Sequence, residues 1–359
     1  MIGAAATRAA SRPPGGRAGH GAALALLLAL LAAALLLALG AGAIRLPPGA
    51  VLRALLAPTG LLAGADPAEQ AILWTLRVPR SLLAALTGAV LGLSGAVMQG
   101  LFRNPLADPG LLGVSAGAAL GAVGMIVLGL PLLAEPLRPY GTPLAAFAGA
   151  LLVTLLVMRI ARHEGRMLIA SMLLAGIALN ALAGAATSAM VFAANDLQLR
   201  DILFWTMGSC AGATPAALAV TLACALPLLL AAPFLTRGLN ALILGEREAA
   251  TLGMPVERLK QVSVLLVALA VGAAVAAAGM IGFVGIVAPH LARLLRGADH
   301  RWVLPASALI GAALLLLADA AARVLVAPAE LPIGLLTALL GGPFFLALLL
   351  RQRLSVDGR

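Results

Sequence analysis

The chain has little of what soluble enzymes rely on. Of its 359 residues only 11% are charged and 3% aromatic, with four histidines, two cysteines and a single lysine. Cys210 and Cys224 lie fourteen positions apart with no Cys-x-x-Cys and no histidine beside either, which argues against a disulfide framework or a zinc site. No His-Glu-x-x-His or paired-histidine spacing occurs, so no metal site is expected. No Gly-x-x-x-x-Gly-Lys-Ser/Thr loop occurs either. The only lysine, Lys260, follows leucine, so the chain is expected to hold no ATP site of its own.

What is present is apolar length. With 62% hydrophobic residues and a mean hydropathy of +1.07, the chain has more apolar surface than one water-soluble core buries, so the bilayer must act as solvent. The net charge of +10 comes from short arginine clusters between apolar runs, which is the pattern of membrane-surface loops and not of a nucleic-acid partner. A crossing helix needs about 20 apolar residues. Cutting at Pro, Gly and Arg leaves ten candidates: Gly21 to Ile44, Arg80 to Gln99, Gly110 to Gly129, Pro143 to Met158, Leu168 to Phe192, Pro215 to Phe234, Val262 to Ile281, Gly282 to Leu295, Val303 to Val324 and Ile333 to Leu350. The eighth is short for a full crossing. The expected fold class is therefore all-α, a polytopic bundle of about ten transmembrane helices over residues 21–350. Tails of 1–20 and 351–359 flank it.

Arginine and lysine in short loops stay on the cytoplasmic face. With the N-terminus inside, seventeen of the twenty-four positive residues fall on the inner side and seven on the outer, so both termini are expected in the cytoplasm. The run from Gly21 is too long for the h-region of a signal peptide and is expected to be retained. Two inner segments have more character than connectors. Thr236 to Gln261 mixes apolar residues with balanced acids and bases around Gly245 and Gly253. That pattern predicts two short amphipathic helices and a cytoplasmic protein partner. Gln99 to Pro109 places two prolines around a short polar turn, which should be stiff and suited to a gate at the inner mouth, or simply to ending a helix.

Four stretches carry a family resemblance: RVPRSLLAALTGAVLGLSGAVMQGLFRNPLADPGLLGVSAGA (Arg77 to Ala118), the loop LILGEREAATLGMPVERLK, Gly279 to Arg323 with its Ala288-Pro289-His290, and ELPIGLLTALLGGPFFLALL (Glu330 to Leu349). Together they resemble the permease subunits of ABC importers for ferric siderophores, haem and vitamin B12. The resemblance implies a homodimer of ten-helix subunits in the bacterial inner membrane. It also implies two cytoplasmic ATP-binding subunits that use the ATP, and a periplasmic substrate-binding protein. No permanently bound cofactor is implied. Leu239 to Arg258 would be coupling helices, with Gly245, Glu246, Ala249, Leu252 and Gly253 at the matching positions. Asn104 and Leu106 would form the cytoplasmic gate, and Arg77, Arg80 and Arg323 would be cationic sockets for glutamates of the binding protein.

His290 matches a Pro-His pair shared by relatives with different cargoes, so the resemblance gives it a structural role. Asp319, four residues before Arg323, is the only acid well inside a predicted span. An i,i+4 pair with Arg323 makes it structural, whereas an unpaired acid there would suggest an ion pathway. The segments Asn195 to Ser209 and Leu173 to Ala185 resemble the haem branch more than the cobalamin branch, so haem is the expected cargo, with ferric siderophore or vitamin B12 as alternatives. A reading of another class is a secondary transporter coupled to an ion gradient. It is supported by a faint inverted echo between LSGAVMQGLFRNPLADP and AAAGMIGFVGIVAPHLA, and opposed by the scarcity of polar groups inside the bundle.

Overall fold

In lipid, a backbone has no water to satisfy its N–H and C=O groups, so each apolar run must close its own hydrogen bonds as helix. The computed structural model describes residues 17–357 except 43, 58–65, 130–132, 136 and 137. Arg8, Arg12 and Arg359 lie outside the described residues. The long helices are α1 (Arg17–Gly40), α4 (Val78–Phe102), α6 (Arg138–Ile160), α7 (Ile169–Ala193), α9 (Pro215–Leu244), α11 (Val256–Ala278), α13 (His300–Ala322) and α14 (Ile333–Asp357). Shorter ones are α2 (Pro48–Leu56), α3 (Pro67–Ala71), α5 (Val114–Gly124), α8 (Asp196–Met207), α10 (Glu246–Thr251) and α12 (Val284–Arg296). A two-stranded hairpin, β1 (Arg162–His163) with β2 (Arg166–Met167), joins α6 to α7.

Among the described residues, seven helices are long and apolar enough to cross a membrane. Two shorter apolar helices, Val114–Gly129 and Ile333–Leu346, correspond to the third and tenth predicted segments. The eighth becomes α12, whose 13 residues reach only about 20 Å at about 1.5 Å per residue. That is short of about 30 Å of hydrocarbon. It is a half-helix that starts inside the bundle after the non-helical stretch Gly279–Phe283.

At the other end of the sequence pattern, α3, a π-helical turn Ile72–Arg77 and α4 run as one rod. Pro79 has no N–H to return to the preceding turn, and the Val78 N–H bonds instead to the Leu73 carbonyl, five residues back.

α4 is the axis of the bundle. It packs against α13, α12, α11 and α9, and nearly all its residues from Thr87 onward are buried. Helices in lipid gain nothing from expelling water between them, so close backbone contact must supply the attraction. Gly88, Gly92 and Gly95 provide it. A Cβ at these positions would stand 2.2, 2.2 and 1.8 Å from the carbonyl oxygens of Gly311, Ser307 and Gly285, so only glycine lets α13 and α12 approach this closely. α1, α6, α7 and α9 lie outside this core and turn leucine, isoleucine and phenylalanine outward.

Candidate functional site

One end of the bundle gathers the end of α9, α10, the start of α11, the β1–β2 hairpin and the turn after α4. The expectation of two short helices between 236 and 261 is corrected here. α9 continues unbroken through Gly238, which packs against the Leu259 side chain of α11, to Leu244, and is interrupted at Gly245. Only α10 is a separate short helix.

Gly245 has φ +131° and Gly253 φ +79°, so the two glycines bracket a knob that side-chain-bearing residues would strain. At Gly245 a Cβ would also lie 1.9 Å from a Glu248 carboxylate oxygen. Ala249 is buried beneath the knob, while Leu244 and Leu252 are 65% and 61% exposed and Glu248 is exposed beside them. Glu246 is turned inward instead.

The inward partner is Lys260, which sequence reasoning used only to dismiss an ATP site. It is 1% exposed, and its ammonium donates to the Met167 carbonyl at 2.6 Å and to Glu246 Oε2 at 3.0 Å. Glu257 Oε1 lies 2.8 Å away, and the other Glu257 oxygen accepts the Met167 N–H at 2.7 Å. All three ammonium hydrogens thus have partners. One buried cation ties α10, α11 and the hairpin into a single body. Its signal in the sequence was its solitude: one lysine flanked by Glu246 and Glu257.

The turn after α4 is as stiff as its prolines require. Arg103 adopts φ +50° and caps α4 through its N–H to the Gln99 carbonyl. Asn104 Oδ1 accepts the Leu106 N–H at 2.9 Å, and Asp108 Oδ1 accepts the Gly110 N–H at 2.7 Å. Burial pushes the Asp108 carboxyl up, against the lowering effect of the Gly110 N–H. Asn104, Pro105 and Leu106 are exposed at the tip. The Asn104 oxygen is engaged within the turn, and its NH2 group is left for another chain. A cleft of about 260 Å3, lined by Gln99, Arg103, Asn104, Ile243, Arg293 and His300 among others, separates this turn from the end of α9.

Two further ties hold that end together. Gln99 accepts from Arg293 and donates to the Gly285 carbonyl, linking α4 to both ends of α12. Asn240 of α9 donates to Asp299 at 2.7 Å and accepts from the His300 N–H and ring Nδ1 at 2.9 and 2.7 Å. Burial opposes ionisation of Asp299, but the Arg301 N–H, the Asn240 amide and the Arg301 charge prevail and hold its carboxyl below the usual range. His290 stands on α12 with its ring edge-on to Phe344 of α14 at 5.5 Å, a packing position.

The opposite end brings Arg77, Arg80 and Arg323 together, and it buries all three. They are 6, 9 and 5% exposed. Asp319, fully buried, needs compensation at that depth. It receives Arg80 at 2.9 Å and Arg323 at 3.0 Å, the second being the i,i+4 pair expected from the sequence. Arg323 also donates to the carbonyls of Ala38 and Ala41, and Arg77 to those of Leu39, Gly40 and Ile44. The charges thereby fasten the end of α1 to the bundle. Arg80 also pairs with the side chain of the solvent-facing Glu330, at 2.8 Å. Glu330 was missed because 250 residues separate the pair.

Comparison with known proteins agrees with this architecture. Residues 30–351 match the FecCD transport family. The chain is 50% identical over 284 residues to the hemin transport system permease protein HmuU of Yersinia pestis, covering 79% of this chain and 84% of that one. It is 43% identical over 287 residues to the vitamin B12 import system permease protein BtuC of Escherichia coli, covering 80% and 86%. Among solved structures it is similar to a metal-chelate type ABC transporter in an inward-facing conformation, with a TM-score of 0.78 and 33% identity over 92% of this chain and 99% of that one. An apolar helical bundle with a glycine-bracketed knob at one end and a proline-stiffened turn beside it, matched over nearly its whole length, is a member of the FecCD transport family.

Proposed function

We propose that the chain is the permease subunit of an ATP-driven ABC importer that passes haem from a periplasmic binding protein to the cytoplasm. The observation that carries this reading is the knob of α10. Leucines and charges of both signs stand exposed at one end of a chain that otherwise turns apolar residues to lipid, which suits a soluble protein partner and not a headgroup surface. The likeness to HmuU favours haem over the vitamin B12 of BtuC.

In this reading α10 docks into a cytoplasmic ATP-binding subunit through Leu244, Glu248 and Leu252, and both termini of the permease are cytoplasmic. Movement of α10 passes through Lys260 to α11 and through α9 to Ile243, which faces the Asn104 turn across the 260 Å3 cleft. The turn is the gate, with Leu106 as its plug. A second copy packs on the exposed apolar face of α7, where Leu174, Ile177 and Leu182 point outward among alanines and glycines. A docking carboxylate of the binding protein reaches Arg80 by exchanging with Glu330. Ion coupling is disfavoured, since the acid inside the bundle, Asp319, is already neutralised by Arg80 and Arg323.

The test is uptake into proteoliposomes holding the permease, its ATP-binding subunits and its binding protein. Haem should enter only with ATP inside the compartment that holds those subunits. Uptake of ferric siderophore or cobalamin but not haem reassigns the cargo, and uptake driven by an ion gradient without ATP sinks the importer reading.

A further inference from the structure

A groove of about 590 Å3 opens between α1 and α9 at the end of the bundle that carries α10. Leu24 and Leu28 of α1, Leu229 of α9, Leu93 of α4, and Leu304 and Ala308 of α13 line it. The walls merge with leucines and phenylalanine that face outward, Leu26 and Leu30 on α1 and Leu230 and Phe234 on α9, so the groove belongs to the surface that meets lipid. Thr236 and Arg301 are the polar residues lining it. The Thr236 hydroxyl donates to the Pro233 carbonyl, which leaves Arg301 as the free polar group.

Arg301 does not stand alone. Arg237, one residue beyond Thr236, is exposed, and so is Arg296. None of the three forms an ion pair among the described residues. Arg296 lies over the Trp302 ring at 6.0 Å and against Gly19 of α1, with His20 on the same ring at 5.9 Å. The acid facing them is Asp299, whose Oδ1 already accepts from the Arg301 N–H and Asn240.

We propose that this groove seats a phospholipid with an anionic headgroup, its acyl chain along Leu24, Leu28 and Leu229 and its phosphate between Arg301 and Arg296. An apolar slot between membrane helices with a basic mouth at one end, three arginines against the single acid Asp299, matches that amphiphile in both shape and charge. The inference is independent of the cargo and of the ATP-binding partner.

The test reconstitutes the protein in nanodiscs of equal phosphatidylglycerol and phosphatidylcholine, extracts it, and weighs retained lipid by native mass spectrometry. Phosphatidylglycerol should be retained in preference. The paired substitutions Arg301→Gln and Arg296→Gln, both at exposed positions, should cut that preference by about fivefold per arginine. Ala308→Phe, which fills the groove, should strip lipid of both kinds. Equal retention of the two lipids by the unmodified protein overturns the proposal, as does a preference unmoved by the arginine pair. Replacement of retained lipid by added inorganic phosphate assigns the mouth to a free anion and overturns it too.

Discussion

The two ends of the bundle solve the same electrostatic problem in opposite ways. At one, Asp319 is fully enclosed and faces two buried arginines, one of which, Arg323, is also bonded to backbone carbonyls at the end of α1. At the other, Lys260 is enclosed, but its carboxylate partners Glu246 and Glu257 are each about one-third exposed, at 35% and 34%. A closed cluster fixes helices relative to one another, since moving any member strands a charge in low dielectric. A half-open cluster keeps its partners together while one side remains reachable by water or by another protein. Both anchor helices, but only the second lies where an applied force can act on it.

The closed cluster should therefore be the more costly to break. Asp319→Ala leaves Arg80 and Arg323 buried without their shared counter-charge, and removal of one partner of such a pair costs about 3–5 kcal/mol. The expected outcome is loss of folded protein from the membrane fraction, and a sharp drop in thermal midpoint for whatever inserts. A variant that melts like the parent would mean that the closed cluster is not an anchor.

Lys260→Met is expected to be milder for folding and more severe for function. Glu246 and Glu257 can turn to water, so the loss should be about 1–3 kcal/mol. The tie between α10 and α11 disappears all the same. Under the proposed function, the ATP-binding subunits still co-purify and hydrolyse ATP, while haem uptake per ATP falls by at least about tenfold. That split between hydrolysis and uptake is something a purely structural role would not produce. Lys260→Arg should restore part of the uptake. Unchanged uptake per ATP in the methionine variant would erase the functional distinction between the two ends.

How far each cluster was legible in the sequence follows from how local its parts are. Helix existence depends on apolar run length and on Pro and Gly punctuation, so every predicted segment acquired a helix, and the short eighth became the half-helix α12. The Asp319–Arg323 pair was legible for the same reason, since four residues on a helix set the contact. The Lys260 clamp was not, because its third partner, Met167, is 93 positions away. Nor was the burial of Arg77, Arg80 and Arg323, whose partners sit on α1 and beyond α13. The helix lengths around Gly245 and Gly253 were misjudged for another reason: both glycines do interrupt the helix, but what flanks α10 is the end of the long α9 and the start of the long α11.

After the two clusters in expected effect comes the knob itself. Gly245→Ala puts a Cβ at φ +131° and against Glu248, a strain of about 1–3 kcal/mol confined to the entry of α10. The bundle should insert and melt nearly as before, while co-purification of the ATP-binding subunits weakens. Reversing Glu248 to lysine should weaken that co-purification through charge, whereas reversing Glu246 should also disturb the Lys260 clamp. If the Glu248 reversal leaves assembly and uptake untouched, α10 is not the docking element.

The smallest effect sharpens the comparison most, because it probes the only open edge of the closed cluster. Glu330 is 43% exposed and pairs with Arg80 at 2.8 Å, while Asp319 holds the other side of the same guanidinium. An exposed partner of this kind contributes at most about 1 kcal/mol, so Glu330→Gln should leave the thermal midpoint almost unchanged. It frees one face of Arg80. If a binding-protein carboxylate docks there by exchange, the substitution removes its competitor, and association should become faster at low salt with the gain vanishing as salt screens it. Association measured by surface capture across an ionic-strength series separates the cases. A faster, salt-sensitive on-rate identifies Arg80 as a buried socket with an exchangeable lid. An unchanged one leaves this end of the bundle closed in function as well as in structure.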